Sequence, residues 1–213
     1  MTIQTLIDGA TSLTIDKSQP TSMSISRGQK LRTQTRSVPL YKFVIGLNPG
    51  ITYDTASTRE LLNAYDVQGK ITEEQVKLGN VTGNQYITEY LGGLSGPDRA
   101  LTYVAGASGN TFTINVSDIS GGASEVIVRP GDFIQAANAR YPYQATTTVT
   151  RGSGTTVSVP VHRDIIETNT GANVLYGNNV TFRVKMVEQP PYSITPGRYV
   201  EWGGDLQLME NIT

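Results

Sequence analysis

The sequence predicts a mainly β fold, a barrel or a sandwich of short strands. Apolar residues alternate with polar ones in run after run, which is the period of a strand with one face on a core. Turn formers separate these runs at short intervals, and 22 glycines supply many of the turns. Helix signals are confined to two short segments. At 213 residues the chain can bury a sizeable core, as one large unit or two small ones.

The stretch up to Pro20 is polar, with a brief alternation at Leu13 and Ile15, and reads as a strand or an ordered arm. "SMSISRGQKLRTQTRS" alternates at Met23 and Ile25, then packs Arg27, Lys30, Arg32 and Arg36 into ten residues. In "VPLYKFVIGLNPG" one row, Tyr41, Phe43, Ile45 and Leu47, is large and apolar, and Asn48-Pro49-Gly50 ends the strand as a turn. "STRELLNAYDVQG" predicts a helix with Ser57 and Glu60 at capping-box spacing, a stripe of Leu61, Leu62 and Tyr65, and Gly69 as its left-handed end. "TEEQVKLG", with Thr72 and Gln75 at that same spacing and Gly79 at its close, predicts a second short helix.

The Gly- and Ser-rich run "YITEYLGGLSGPDRALTYVAGASGN" predicts a junction between modules. Beyond Gly109 strands dominate. "TFTINV" sets Phe112, Ile114 and Val116 on one face, and "SEVIVRPGDFIQ" reads as strand, Pro130-Gly131 turn, strand. "YQATTTVTRGSGTTVSVPVHR" predicts a hairpin around Arg151-Gly152-Ser153-Gly154. "NNVTFRVKMVEQPP" aligns Val180, Phe182, Val184 and Met186 before Pro190-Pro191 ends the strand, and "GRYVEWGGDLQLMEN" predicts a last strand pair around Gly203-Gly204.

Charged residues are only 16% of the chain and the net charge is -1, so no global field draws nucleic acid or an anionic membrane. The absence of cysteine removes disulfides, thiolate nucleophiles and cysteine metal sites together. No apolar run reaches membrane-spanning length, and the first 20 residues lack the basic and apolar blocks of a signal peptide, so a soluble, non-secreted chain is expected. His162, the only histidine, ends a predicted strand and is expected to be a surface or hydrogen-bonding residue. A catalytic role would require a pocket shared with Asp164 or Glu167. "GASGN" and "RGSGT" lack the strand–loop–helix setting of a phosphate cradle and read as turns. No catalytic, cofactor or metal residues are assigned, and no enzyme is expected.

Two stretches, in order, resemble the β-rich tail and baseplate proteins of tailed bacteriophages. One is "SRGQKLRTQTRSVPLYKFVIGL" followed by the helix "STRELLNAYDVQG"; the other is "RPGDFIQAANARYPYQATTTVTRGSGTTVSVPVHR". "NVTFRVKMVEQPP" matches the late strand of that family, so the likeness runs from Ser26 to Pro191, with residues 80–109 departing from it. The resemblance implies a tail-tube-like β-barrel with one or two short helices and an inserted small β-module. Residues 1–100 would begin the barrel with an N-terminal arm, 101–170 would form the inserted module, and 171–213 would close the barrel. It further implies a structural virion component of tube-initiator or tube-attachment type, most consistent with a contractile tail. Such a subunit forms a ring, with six copies expected by analogy, and is assembled in the host bacterial cytoplasm. Its partners are other tail and baseplate proteins, without a cofactor, a membrane or direct nucleic-acid binding.

The candidate subunit interface is Arg27, Lys30, Arg32, Arg36, Tyr141 and Tyr143. The basic four also fit a solvated edge strand that discourages unwanted pairing, or, with less weight, a phosphate contact. A competing reading is a host-surface or glycan-binding module with Tyr192, Tyr199 and Trp202 as its aromatic platform. A hydrolase built on paired carboxylates is the remote third.

Overall fold

The computed structural model describes residues 3–18, 21–25, 31–35, 39–53, 55–68, 73–79 and 87–212. The elements run α1 (Ile3–Asp8), β1 (Ser12–Ser18), β2 (Thr21–Ile25), β3 (Leu31–Thr35), β4 (Leu40–Gly46), α2 (Ala56–Gln68), β5 (Glu74–Val76) and α3 (Gly96–Ala100). There follow β6 (Tyr103–Ser108), β7 (Thr111–Asn115), β8 (Val126–Val128), β9 (Phe133–Ala136), β10 (Tyr143–Gln144), β11 (Val149–Thr150) and β12 (Thr156–Pro160). The chain then adds β13 (Val174–Tyr176), β14 (Phe182–Glu188), β15 (Tyr192–Ile194), β16 (Val200–Trp202) and β17 (Leu206–Glu210). The fold is mainly β, as the alternation predicts.

Five strands form the principal sheet, ordered β1-β4-β17-β14-β5 and antiparallel throughout. Its inner rows follow the period of two: Tyr41, Phe43 and Ile45 on β4, Phe182 and Val184 on β14, Leu206 and Leu208 on β17 are all buried. Phe43 and Phe182 meet edge to face at 4.9 Å, and Phe133 reaches in to Phe182 at 5.5 Å. Ile3, Leu6 and Ile7 of α1 and Leu61 and Tyr65 of α2 complete this cluster. Each such side chain contributes roughly 1.5–3 kcal/mol by leaving water. Of the strand or ordered arm expected before Pro20, the strand stands at Leu13 and Ile15, and an unforeseen helix precedes it. Residues 3–8 form a helix tied into the core, and β1 pairs with β4 along its full length.

A second hydrophobic cluster gathers residues of the β6–β7–β12, β8–β11 and β10–β9–β13 sheets around Phe112, Ile114, Ile134, Tyr141, Tyr143 and Tyr176. The 91–97 stretch is tied to this cluster through Leu94. Leu94 is buried, and the amides of Leu91 and Gly93 donate to Asp132 Oδ1 and the Val126 carbonyl. The unforeseen helix α3 follows, capped by Ser95, whose side chain accepts from the Asp98 amide.

Several expectations are corrected. Residues 73–79 of "TEEQVKLG" are not a helix, because Val76 and Leu78, two apart and both fully buried, fit the strand period and β5 takes the free edge of β14; Thr72 lies outside the described residues. The cap of α2 is Thr55 rather than Ser57: Thr55 Oγ1 accepts from the Thr58 amide at 3.1 Å. The Arg151–Gly154 hairpin does not form as a ladder. Strand β11 pairs with β8 and β12 with β7, and the Arg151 amide is drawn to the Glu125 carbonyl at 2.8 Å. The pair around Gly203-Gly204 is also re-partnered, with β16 on β15 and β17 inside the principal sheet. Among the described residues that sheet does not close, since β1 and β5 remain its edges.

Gly177 (φ +56°) brings the chain so close to the 88–90 segment that a Cβ there would lie 2.8 Å from the Thr88 carbonyl oxygen and the Tyr90 amide nitrogen. Gly177→Ala is expected to lose about 2 kcal/mol or more in urea unfolding, because strain and a backbone clash coincide.

Candidate functional site

The two clusters meet at an ion pair. The buried row of β17 runs Leu206, Leu208, Glu210, so the period that turns two leucines inward turns a carboxylate inward as well. Arg163, just past β12, meets it: Nη1 donates to Glu210 Oε2 and Nη2 to Oε1, each at 2.6 Å, with both side chains 0% exposed. Nη1 and Nη2 also donate to the carbonyls of Pro39 and Pro142, each at 3.0 Å. The Tyr41 amide donates to Glu210 Oε2 at 3.3 Å. The guanidinium carbon sits 5.6 Å from the Tyr41 ring and 5.3 Å from the Tyr143 ring, one from each cluster. Burial alone would lower the Arg163 pKa, but the hydrogen bonds and charge of Glu210 outweigh it and raise it.

His162 adjoins this pair and is structural in its contacts. Its Nδ1 accepts from the Gln144 amide at 3.0 Å, its own amide donates to the Gln144 carbonyl, and its ring lies 5.3 Å from Tyr41. Burial, with the charges of Arg163 and Lys17 adding to it, lowers its pKa to about 3. Neither Asp164 nor Glu167 joins it: Asp164 is exposed, and Glu167 Oε1 is held by Arg140 Nε at 2.7 Å.

The proposed interface residues fare differently. Tyr141 and Tyr143 are corrected: both are 0% exposed inside the second cluster, and the Tyr143 hydroxyl accepts from the Ile166 amide at 2.8 Å, so neither offers a surface. Arg27, Lys30 and Arg36 lie outside the described residues, and Arg32 is placed only by its backbone, opposite Ser24 in the β2–β3 ladder. Of the aromatic platform, Tyr192 and Trp202 face each other across β15–β16 and pack edge to face on Tyr65. The Trp202 indole donates to the Asn48 carbonyl at 3.0 Å. Tyr199 alone of the three is largely open, at 52% exposure.

Arg163 and Glu210 escaped the sequence reading, although the alternation Leu206, Leu208, Glu210 carries the signal for an inward carboxylate. Among the described residues no group of three or more His, Asp or Glu is placed to hold a metal ion, and no helix is long and apolar enough to cross a membrane. Comparison with protein-family models finds no match, and comparison with characterised proteins finds no significant one.

Removing one partner of a buried pair leaves a charge without compensation, a loss of about 3–5 kcal/mol. Arg163→Met is expected to show that loss in urea unfolding, and Arg163→Met combined with Glu210→Leu to recover most of it. The low pKa of His162 sets a second expectation. The unfolded chain takes up a proton near pH 6.5 and the folded chain only near 3, so stability falls as pH drops through that window. Its slope approaches about 1.4 kcal/mol per pH unit, and His162→Asn should flatten it in thermal unfolding followed against pH.

Proposed function

We propose that the chain is a structural subunit of a bacteriophage tail, forming a ring at the tube base or baseplate through contacts between copies and with neighbouring tail proteins. The observation that carries this reading is the strand pair β2–β3. It continues the β1–β4 hairpin as a separate two-stranded ladder, its register offset by two residues from that of β1–β4. At five residues a strand it spans about 17 Å, with no third strand on either side among the described residues. Unpaired backbone edges of this kind invite pairing with another chain, and a cyclic assembly covers them repeatedly. In sequence Arg27 and Lys30 fall between these two strands, in keeping with contact on a charged neighbour.

In this reading the principal sheet belongs to a tail-tube-like barrel completed in the ring, with the 101–170 module inserted between 1–100 and 171–213. The subunit works in the virion without cofactor or catalysis. A second reading, a host-surface or glycan-binding module, draws on exposed Tyr199 and on the shallow hollow lined by Tyr192, Glu201 and Trp202.

Native mass spectrometry of the purified chain is expected to give one closed multimer, six by the resemblance. Replacing residues 21–35 with Gly-Ser should yield a folded monomer with unchanged near-UV circular dichroism. A wild-type chain monomeric at high micromolar concentration in the presence of its tail neighbours, or a multimer that survives the replacement, sinks the reading.

A further inference from the structure

Between α3 and β13 lies a hollow of about 320 Å³ whose charged lining residue is Arg99. Its guanidinium carbon stands 5.0 Å over the ring of Tyr90, which holds the fork in place, and its Nε is buried without a hydrogen-bond partner. No carboxylate among the described residues pairs with it. The adjacent Asp98 is fully engaged elsewhere, accepting from Ser95 Oγ, from Ser120 Oγ and from the Ser120 amide.

The rest of the lining suits an anion too. Asn173 and Asn179, each with a neutral side-chain amide, also line it, and both residues are exposed to solvent. Val174, whose amide donates to the Thr102 carbonyl, faces away from β9, so alternation turns the Tyr176 amide to that same side, towards α3. A planar cationic fork fixed on an aromatic ring, beside neutral donors and without an acidic residue in the lining, matches a carboxylate in shape and charge. We propose that this hollow is a carboxylate-binding site, its ligand held by Arg99 and oriented by Asn173 and Asn179. The site stands apart from the Arg163–Glu210 junction and does not rest on the assembly reading.

The test is a proton–nitrogen NMR titration of the full chain, following the Arg99 Nε–H resonance. Glutarate is the probe in one arm and the blocked peptide acetyl-Gly-Glu-Gly-amide in the other, both at fixed ionic strength. Saturable shifts with a Kd tighter than about 10 mM are expected. Saturation by glutarate alone identifies a free solute as the ligand class, and saturation by the peptide alone or by both admits an acidic side chain of a protein. Arg99→Lys, checked for an unchanged spectrum elsewhere, should weaken binding at least tenfold, and Asn173→Ala should weaken it severalfold. No saturable shift in either arm, an equal shift from sodium chloride, or undiminished affinity in Arg99→Lys overturns the proposal.

Discussion

A single charge pair, shut away from water, governs how the two halves of this molecule meet. Arg163 and Glu210 are each stripped of solvent, and only their mutual bidentate contact, two backbone carbonyls and an amide offset that desolvation. Such a pair adds little net stability over well-packed apolar groups, but it tolerates almost no displacement. Each hydrophobic cluster could slide a little on its own greasy surface. With the guanidinium gripped between Tyr41 and Tyr143, one ring from each side, that freedom is lost.

The same logic explains the neighbours. His162 is held neutral beside a cation, and Gln144 satisfies one ring nitrogen while its side chain takes Lys17 Nζ from β1. Strand β1, the β10 edge and the Arg163 turn therefore share one polar seam. The Arg183–Glu73 bridge, joined by Asn211, ties the start of β5 to β14 and to the chain beyond β17.

The strands with a clean period of two were legible from the sequence alone. The rows Tyr41–Phe43–Ile45, Phe112–Ile114–Val116 and Val180–Phe182–Val184 are buried as the alternation requires, because each packs one face on a core. What failed was partner choice. The glycines at 152, 154, 203 and 204 signal a change of direction, yet tertiary pairing decides which ladder each flanking strand joins. "TEEQVKLG" failed for a related reason, since local capping spacing competed with a sheet edge that the sequence does not display. Tyr141 and Tyr143 looked like interface residues because tyrosine suits both settings; their hydroxyls find partners within the chain, which settled the matter for burial. The candidate site was least legible, since Arg163 and Glu210 lie 47 residues apart and neither belongs to a recognisable motif.

The position of β17 has a consequence for how the protein is made. It lies between β4 and β14, in the middle of the principal sheet, although it follows all the sheet's other strands in chain order. During vectorial synthesis β4 and β14 therefore wait with an apolar face and open amides until residues 206–210 leave the exit tunnel. The second cluster, drawn largely from residues 94–176, suffers no such delay and can condense while the nascent chain is still growing. Insertion of β17 then brings Glu210 to a waiting Arg163, so the principal sheet is completed by a zipper closing at its centre instead of at its rim.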